Sequence, residues 1–397
     1  MRNQKLWSRD FILIAVCNFF LFLAFYYLIV TLPIYTIQSL NGSEAEAGLL
    51  ITVFLLSAIL IRPFAGKWLA SLDNRTVLFV GLFIFGVGSA LYMVPDTVVG
   101  LMIVRLLHGF GFGIATTATG TIVADVIPEG KRGEGMGYYA LSLNLAVVLG
   151  PFLGLTAIHQ WSTFTLFSIV FFCSMIAVGV GLLISATNQA EAVKVQQTLE
   201  TRKLSIVEKT AVPISVTAAL FAIIYSSILS FVPVYAEEIG LLEASSYFFV
   251  VYALVMLLSR PFTGKWLDLY GANIIVYPSI VLFAIGLFML SLSQNAFVFL
   301  LSAALIGLGW GTLFPTFQTI SVQRAAPENR GLAMATFLSI FDLGIGAGSF
   351  IVGIVVAQAS LHSFYFYGSF VLLLGIGIYN ILHGRRVYET NSRTQTG

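Results

Sequence analysis

Twelve stretches of the chain are each long enough to cross a lipid bilayer, and this feature limits the possible folds more than any other. A helix needs about 20 consecutive apolar residues to span the hydrocarbon core. The stretches are about 10–33, 46–68, 76–94, 97–125, 135–157, 162–186, 211–236, 245–267, 273–293, 296–322, 331–358 and 362–384. Runs such as 164–185 are apolar on every face, whereas the strands of a membrane barrel alternate polar and apolar residues. The sequence therefore predicts an all-α membrane protein with twelve transmembrane helices.

The low charge content supports this prediction and excludes several classes of protein. Only 10% of the residues are charged, against about 25% in a typical soluble domain. An ordinary soluble enzyme, a nucleic-acid-binding protein and a disordered chain are therefore excluded, and the formal charge of +2 is too small to attract a polyanion. The cysteines Cys17 and Cys173 provide neither a disulfide framework nor a metal-binding spacing.

The basic residues predict the orientation in the membrane. If the N-terminus is cytoplasmic, 19 of the 20 Lys and Arg residues lie in inner loops or near the inner ends of spans, and Arg105 lies within span four. The charges of the outer loops are all acidic: Glu44, Glu46, Asp96, Glu237, Glu238 and Glu243. This bias follows the positive-inside rule, so we expect a multi-pass membrane protein with both termini in the cytoplasm. The first apolar run is longer than a signal-peptide core, and we expect no removable targeting sequence.

The chain contains an internal repeat. Arg62–Leu69 recurs as Arg260–Leu267, with seven of eight residues identical at an offset of 198. The same offset relates Gly109 to Gly307, Gly111 to Gly309, Arg132 to Arg330, Gly133 to Gly331, Met136 to Met334 and Gly150 to Gly348. We therefore predict an N-terminal six-helix half at 1–187, a cytoplasmic linker at 188–210 and a C-terminal six-helix half at 211–397. Parallel repeats of six spans are typical of secondary transporters.

Three motifs add information about the family. They are the loop at 66–75 after span two, Arg105-Leu-Leu-His-Gly-Phe-Gly111 within span four, and Gly150-Pro-Phe-Leu-Gly154 in span five. With the twelve spans, these motifs resemble the major facilitator superfamily, and within it the bacterial twelve-span drug:proton antiporters. The resemblance covers the whole chain and implies two pseudo-symmetric halves of six helices.

The loop after span two reads roughly G-x-x-x-D-[RK]-x-G-[RK]-[RK] in that family. In this chain Ala70 occupies the aspartate position and Asp73 the second glycine position, whereas Asp268 and Gly271 are in register in the second copy. The resemblance implies a charge network that closes the cytoplasmic side, joined by Asp125 at the inner end of span four. The residues of this expected gate are Gly66, Asp73, Arg75, Gly264 and Asp268. An alternative is that Lys67 and Arg75 only fix the topology.

The span-four motif is close to the family's R-x-x-[QH]-G-x-G. A cation inside a span is costly, by about 2.5–3.5 kcal/mol on insertion scales, so Arg105 is expected to face the cavity or a partner. The resemblance implies a role for Arg105 in proton coupling. His108 lies three residues later on the same helix face and is of a type suited to proton exchange. For both residues, the alternative is a structural role in holding helices together.

The span-five motif resembles the antiporter pattern G-x8-G-x3-G-P-x2-G-G. Gly137, Gly150, Pro151 and Gly154 match it, whereas Ala146 and Leu155 replace glycines. Small residues permit close helix approach, and proline bends a helix. The resemblance assigns Gly150, Pro151 and Gly154 to conformational gating and implies export rather than import.

Asp342 is the most informative ionisable residue of the C-terminal half. It lies within span eleven, and its repeat mate in span five is the uncharged Asn144. Because burial favours the protonated form of a carboxyl, such a residue can load and release a proton. We therefore predict that Asp342, Arg105, Asp125 and His108 take part in proton coupling. The alternative for Asp342 is a structural bond to a neighbouring helix.

The resemblance also implies that spans one, four, seven and ten line a substrate cavity. The predicted cavity residues are Asn18, Tyr26, Tyr27, Asn144, Tyr225, Ser226, Trp310, Phe314 and Gln318. Aromatic rings with a few amides and hydroxyls suit an amphipathic substrate. An alternative is that these aromatic residues only pack against helices or lipid.

Together these features predict a proton-coupled secondary transporter that exports small amphipathic drugs or metabolites by alternating access. The chain has no P-loop, nucleophile elbow or metal cluster, so we expect no enzymatic activity and no cofactor other than the proton gradient. The expected partners are the substrate, protons and the lipid bilayer, with no nucleic acid, and the expected state is a monomer. Alternatives are an exporter of one metabolite, such as a sugar, metallophore or lysolipid, an importer, or a non-transporting receptor.

Overall fold

Twelve helices form the fold of the residues that the computed structural model describes, namely 6–160, 162–185 and 206–384. They are α1 (Arg9–Ser39), α2 (Glu44–Ser71), α3 (Asn74–Leu91), α4 (Val98–Val126), α5 (Arg132–Gln160), α6 (Thr163–Leu182), α7 (Val212–Glu238), α8 (Leu242–Tyr270), α9 (Ala272–Ser291), α10 (Ala296–Arg324), α11 (Arg330–Gln358) and α12 (Leu361–Tyr379). All twelve are long and apolar enough to cross a membrane, and no strand occurs in these ranges. The predicted all-α architecture is therefore confirmed. Most of the predicted linker at 188–210 lies outside the described residues.

Polar side chains at the helix ends explain where several helices begin. Ser8 accepts a hydrogen bond from the Phe11 N–H at 3.2 Å and so caps α1. Ser43 and Glu46 form a capping box at the start of α2, which satisfies two backbone donors. The hydrogen bond from the Ser43 N–H is the main cause that lowers the pKa of the Glu46 carboxyl. The long apolar helices thus begin at polar residues that replace missing backbone partners.

The outer faces of the helices are apolar. Leu60, Phe164 and Phe297 are among the most exposed side chains of the described residues, at 65%, 71% and 75%. Large apolar side chains exposed on helix after helix are costly in water but favourable in hydrocarbon. The chain is therefore a multi-pass membrane protein.

Packing divides the chain into two compact units. Within the described ranges, the first unit comprises the residues up to 128, those from 139 to 208, and 325–339. The second unit comprises 129–138, 209–324 and 340–384. The first segment of α5 thus packs with the second unit, and the first segment of α11 packs with the first unit.

The internal repeat of the sequence is also a repeat of packing. In the first unit, a Cβ atom at Gly111 would meet the backbone of Phe85, and one at Gly109 would meet the backbone of Phe54. In the second unit, Gly309 has the same relation to Phe283 and Gly307 to Tyr252, with all partners shifted by 198. These glycines allow α4 and α10 to approach their neighbours closely.

Candidate functional site

Arg105 belongs to α4 in the first unit and is fully buried. Its Nε donates a hydrogen bond to the Leu50 carbonyl oxygen at 3.1 Å and its Nη1 donates to the Tyr92 hydroxyl at 3.4 Å. The guanidinium also lies 4.4 Å from the centre of the Phe54 ring, a cation–π distance. No carboxylate of the described residues pairs with it. Arg105 therefore links α4 to α2 and α3 while its charge has no acidic partner there.

His108 is joined to Arg105 through Tyr92. The His108 Nδ1 atom lies 3.1 Å from the Tyr92 hydroxyl, and the imidazole stacks on Phe85 at 4.0 Å. Arg105 Nη2 and His108 Nε2 are enclosed and have no hydrogen-bond partner among the described residues. Tyr92 is not predicted as a site residue from the sequence, because a tyrosine at the end of a span carries no signal about which residues it contacts.

Asp125, another predicted coupling residue of α4, has a different partner. Its carboxylate forms an ion pair with Arg330 at 2.8 Å, and both side chains are largely buried. Arg330 begins α11 and belongs to the same unit. The structure therefore places this predicted coupling residue in an ion pair with the first segment of α11, a partner that the sequence analysis missed.

The two copies of the loop motif make different contacts. In the second unit, the Asp268 carboxylate accepts hydrogen bonds from the backbone N–H groups of Gly133 at 2.6 Å and Glu134 at 2.9 Å, and so caps the start of α5. In the first unit, the equivalent residue Ala70 has no acceptor. Gly66 nevertheless packs against Leu332, which is the repeat mate of Glu134.

The packing of the predicted gate glycines follows the same repeat. Gly264 lies against the Cα atom of Glu134 as Gly66 lies against that of Leu332. In α5, Gly150 lies against Tyr26 and Tyr27 of α1 and therefore allows close approach of the two helices. Gly154 contacts Thr31 and Tyr27 in the same way, and Pro151 lies inside the helix between them.

Asp73 and Arg75 have local partners. The Asp73 carboxylate accepts a hydrogen bond from the Thr76 N–H at 3.3 Å and caps α3. Arg75 donates to the Leu182 carbonyl oxygen at 2.9 Å and so holds the end of α6. Both side chains are exposed. Asp73 thus acts as a helix cap in a position where the family motif has a glycine.

The predicted cavity residues of the first unit differ in whether their side-chain polar atoms have hydrogen-bond partners. Asn18 is buried, donates to Ser142 at 2.7 Å and accepts from Tyr139 at 2.8 Å, which describes a structural network. The Tyr27 hydroxyl donates to the Leu166 carbonyl oxygen at 3.1 Å. By contrast, the Nδ2 atom of Asn144 is enclosed without a partner among the described residues.

In the second unit the predicted cavity residues form an aromatic cluster. Tyr225 stacks on Trp310 with ring centres 4.5 Å apart, and the Tyr225 hydroxyl lies 3.0 Å from that of Tyr252. Phe341 stacks on Trp310 at 6.2 Å and contacts Phe314 at 4.7 Å. We call these five residues the aromatic cluster.

Three further predicted residues lie in the second unit. Asp342 follows Phe341 in α11 and is half-buried. Gln318 is buried in α10. The Ser226 hydroxyl donates to the Ile223 carbonyl oxygen of its own helix at 2.7 Å, so its bond is local. The sequence analysis missed Tyr252 and Phe341, which join this set through packing.

Comparison with known proteins identifies the family. The family model "Major Facilitator Superfamily" matches residues 14–256 and 242–396. The chain belongs to the major facilitator superfamily. The family predicted from the sequence motifs is therefore confirmed, and members of this superfamily are in general transporters rather than enzymes.

The chain is similar to individual proteins over different lengths. The chain is 23% identical over 354 residues to an uncharacterized MFS-type transporter of Methanocaldococcus jannaschii, covering 85% of this chain and 89% of that protein. It is 29% identical over 136 residues to the quinolone resistance protein NorA of Staphylococcus aureus, covering 34% of this chain and 35% of that protein.

Solved structures of the superfamily have the same fold. The human organic anion transporter MFSD10 superposes with a TM-score of 0.78 at 15% identity, covering 94% of this chain and 99% of that one. The proton:xylose symporter XylE superposes with a TM-score of 0.72 at 16% identity, covering 94% and 95%. These similarities show the twelve-helix fold of the superfamily.

Proposed function

We propose that this superfamily member is a proton-coupled exporter of small amphipathic molecules in the bacterial cytoplasmic membrane, working by alternating access. The observation that carries the proposal is the buried charge of Arg105, which is bonded to Leu50 and Tyr92 but to no carboxylate of the described residues. Ionisable residues within membrane spans are costly and mark ion pathways. His108 is the proposed proton-binding group of the first unit, and Arg105 is the fixed charge beside it.

Asp342 is the proposed proton-carrying carboxyl of the second unit. It is half-buried in α11, whereas its repeat mate in α5 is the uncharged Asn144. A proton gradient can drive transport through such a group, since each charge moved across the membrane is worth about 2.3 kcal/mol per 100 mV. Proton uptake at Asp342 removes a charge from α11, and proton release restores it.

The aromatic cluster is the proposed substrate contact. Its rings include the stacked pair Tyr225 and Trp310 at 4.5 Å, and the hydroxyls of Tyr225 and Tyr252 lie 3.0 Å apart. Planar aromatic faces with a few polar groups fit substrates that are partly apolar and partly polar. We therefore expect planar amphipathic molecules to bind there.

Two observations support export as the direction. One is the close packing of Gly150 and Gly154 on α1 around Pro151, in the motif that resembles those of antiporters. The other is the printed name of the Staphylococcus aureus relative, a quinolone resistance protein. A quinolone is therefore the first substrate to test.

The test is uptake of a quinolone by proteoliposomes. In a proton antiporter, an acidic lumen drives quinolone into the vesicle, whereas in a symporter an acidic exterior does so. We expect accumulation with the acidic lumen, and a loss of about tenfold or more in rate for Asp342→Asn and Arg105→Ala. Asp96→Asn changes an exposed carboxyl and is expected to behave as the wild type. Wild-type rates in both pathway variants would rule out this coupling assignment.

A further inference from the structure

The hydroxyl of Tyr92 lies between two groups of the first unit, the cation Arg105 and the imidazole of His108. Its oxygen lies 3.4 Å from Arg105 Nη1 and 3.1 Å from His108 Nδ1. An arginine nitrogen can only donate, so the Tyr92 oxygen accepts from Arg105. The Tyr92 O–H then donates to His108 Nδ1, because this direction leaves only the His108 Nε2–H without a partner among the described residues. The opposite direction would leave two buried groups without partners, the hydroxyl proton and the unprotonated Nε2. His108 is therefore neutral and carries its proton on Nε2.

Among the described residues that the His108 imidazole contacts, none carries a carboxylate that could neutralise a second cation. The imidazole faces Phe54 of α2, Phe85 of α3, Tyr92 directly after α3, and Arg105 of its own helix. Among these neighbours only Tyr92 and Arg105 are titratable or charged. Arg105 and His108 are both completely buried, so water does not screen one from the other.

A proton added to this cluster changes the hydrogen bonds in a defined way. The incoming proton, given up by a hydronium ion that leaves as water, forms a bond to the Tyr92 oxygen while the original hydroxyl proton moves to His108 Nδ1. Tyr92 stays a neutral phenol and His108 becomes a cation that donates to Tyr92. Two cations then point at one oxygen in a site of low dielectric, which is unfavourable.

We propose that Tyr92 makes proton binding at His108 and the Arg105–Tyr92 hydrogen bond mutually exclusive. Arg105 bridges α4 to Leu50 of α2 and to Tyr92, which caps the C-terminal end of α3, so protonation of His108 releases one of these links between helices. Tyr92 is thus a positioning residue that converts proton uptake into a change of helix contacts. The inference rests on the proton coupling proposed above. It names Tyr92 as the residue that transmits proton binding, and it states that the Arg105–Tyr92 hydrogen bond is lost when His108 takes up a proton.

The first test measures the tautomer, independently of transport. Nitrogen-15 NMR of labelled histidine in the purified protein distinguishes Nε2–H from Nδ1–H, and His108→Gln assigns the signal among the four histidines. We expect His108 to be the Nε2–H tautomer at pH 8 and Tyr92→Phe to change its Nδ1 signal. An Nδ1–H tautomer in the wild type would overturn the proposal.

The second test separates coupling from folding. Tyr92→Phe and His108→Gln are expected to reduce gradient-driven quinolone accumulation by about tenfold and to flatten its dependence on pH, while gradient-free quinolone exchange stays within about twofold of wild type. The control is Tyr235→Phe, which removes a buried hydroxyl that donates to Ser291 in the second unit and is expected to keep the wild-type pH profile.

Two results of this experiment would overturn the proposal. One is a Tyr92→Phe variant with the wild-type pH profile and accumulation. The other is an equal loss of exchange and accumulation, which describes a structural tyrosine. If the wild type accumulates no quinolone while the expected tautomer is found, the proposed function fails and the hydrogen-bond arrangement stands.

Discussion

The carboxylate of Asp268 caps α5 by accepting the backbone N–H of Gly133 at 2.6 Å. The first four N–H groups of a helix have no partner within the helix, so this side chain of α8 ties the first segment of α5 to the second unit. The equivalent contact is missing in the first unit, because Ala70 stands at the repeat position of Asp268. There, the ion pair of Asp125 with Arg330 connects α4 with the first segment of α11.

Removal of the Asp268 carboxylate is expected to destabilise the second unit. Asp268→Ala removes two charge-assisted hydrogen bonds, and each is worth about 1–2 kcal/mol at a helix N-terminus. Thermal unfolding in detergent measures the effect, with Asp268→Asn expected to fall between Ala and wild type. Asp96→Asn is the control. An unchanged melting temperature for Asp268→Ala would show that the cap does not stabilise the fold.

Insertion of the missing carboxylate is expected to stabilise the first unit. Gly66 packs against Leu332 as Gly264 packs against Glu134, so Ala70→Asp should bring a carboxylate to the N–H groups at the start of α11. The expected gain is about 1 kcal/mol, seen as a higher melting temperature. A tighter start of α11 is also expected to slow transport. A lower melting temperature would show that the two loop copies are not equivalent in space.

The repeat mates Arg62 and Arg260 are expected to respond differently to the same substitution. Both are buried at 2% exposure, and Arg62 donates to the Leu338 carbonyl oxygen at 3.2 Å. For Arg260, the described part of the chain provides no hydrogen bond. Arg62→Met should cost about 1–3 kcal/mol. Arg260→Met should be neutral or stabilising, because it removes a buried charge that lacks compensation.

Thermal unfolding of the two methionine variants is the measurement for this pair. Each serves as the matched control of the other, since the surrounding sequence is nearly identical in the two copies. Equal losses of stability in both variants would contradict the prediction and would indicate that Arg260 is bonded in solution.

The effects of reversing the charges of Asp125 and Arg330 on stability are expected to depend strongly on each other, because the two residues form an ion pair. Its N–O distance is 2.8 Å, with side-chain exposures of 16% for Asp125 and 13% for Arg330. Asp125→Arg or Arg330→Asp alone places like charges together at a cost of about 3 kcal/mol, and the double variant should recover much of this loss. A double-mutant cycle of melting temperatures measures the coupling. Additive effects would contradict a direct interaction.

Trp310 is expected to contribute to substrate affinity. Trp310→Ala removes the ring that stacks on Tyr225 at 4.5 Å and should weaken quinolone binding by about tenfold, or 1.4 kcal/mol. Trp310→Phe should retain most of the affinity. Trp266→Ala changes an exposed tryptophan of α8 and is the control in equilibrium dialysis. Equal affinity of Trp310→Ala and wild type would remove the aromatic cluster from the substrate path.

Part of the candidate site could be predicted from the sequence. Arg105 and His108 lie three positions apart in one helix, so their common face follows from helical periodicity. Tyr92 could not be assigned to them, because it belongs to another helix whose rotation is set by packing. The pairing of Asp125 with Arg330 spans 205 residues and likewise has no local signal. Asp73 occupies the second glycine position of the motif, and its side chain caps α3 because it is the residue directly before that helix.

The sequence by itself determined the twelve apolar helices, the membrane as solvent and the repeat at an offset of 198, because these depend on the composition and spacing of neighbouring residues. Only the tertiary structure decided which polar groups meet. It joined Tyr92 to Arg105 and His108, assembled the aromatic cluster, and showed that Asp268 caps a helix where Ala70 does not. The physical reason is that side-chain partners depend on how helices rotate and pack against each other, and close glycine contacts between helices fix that geometry.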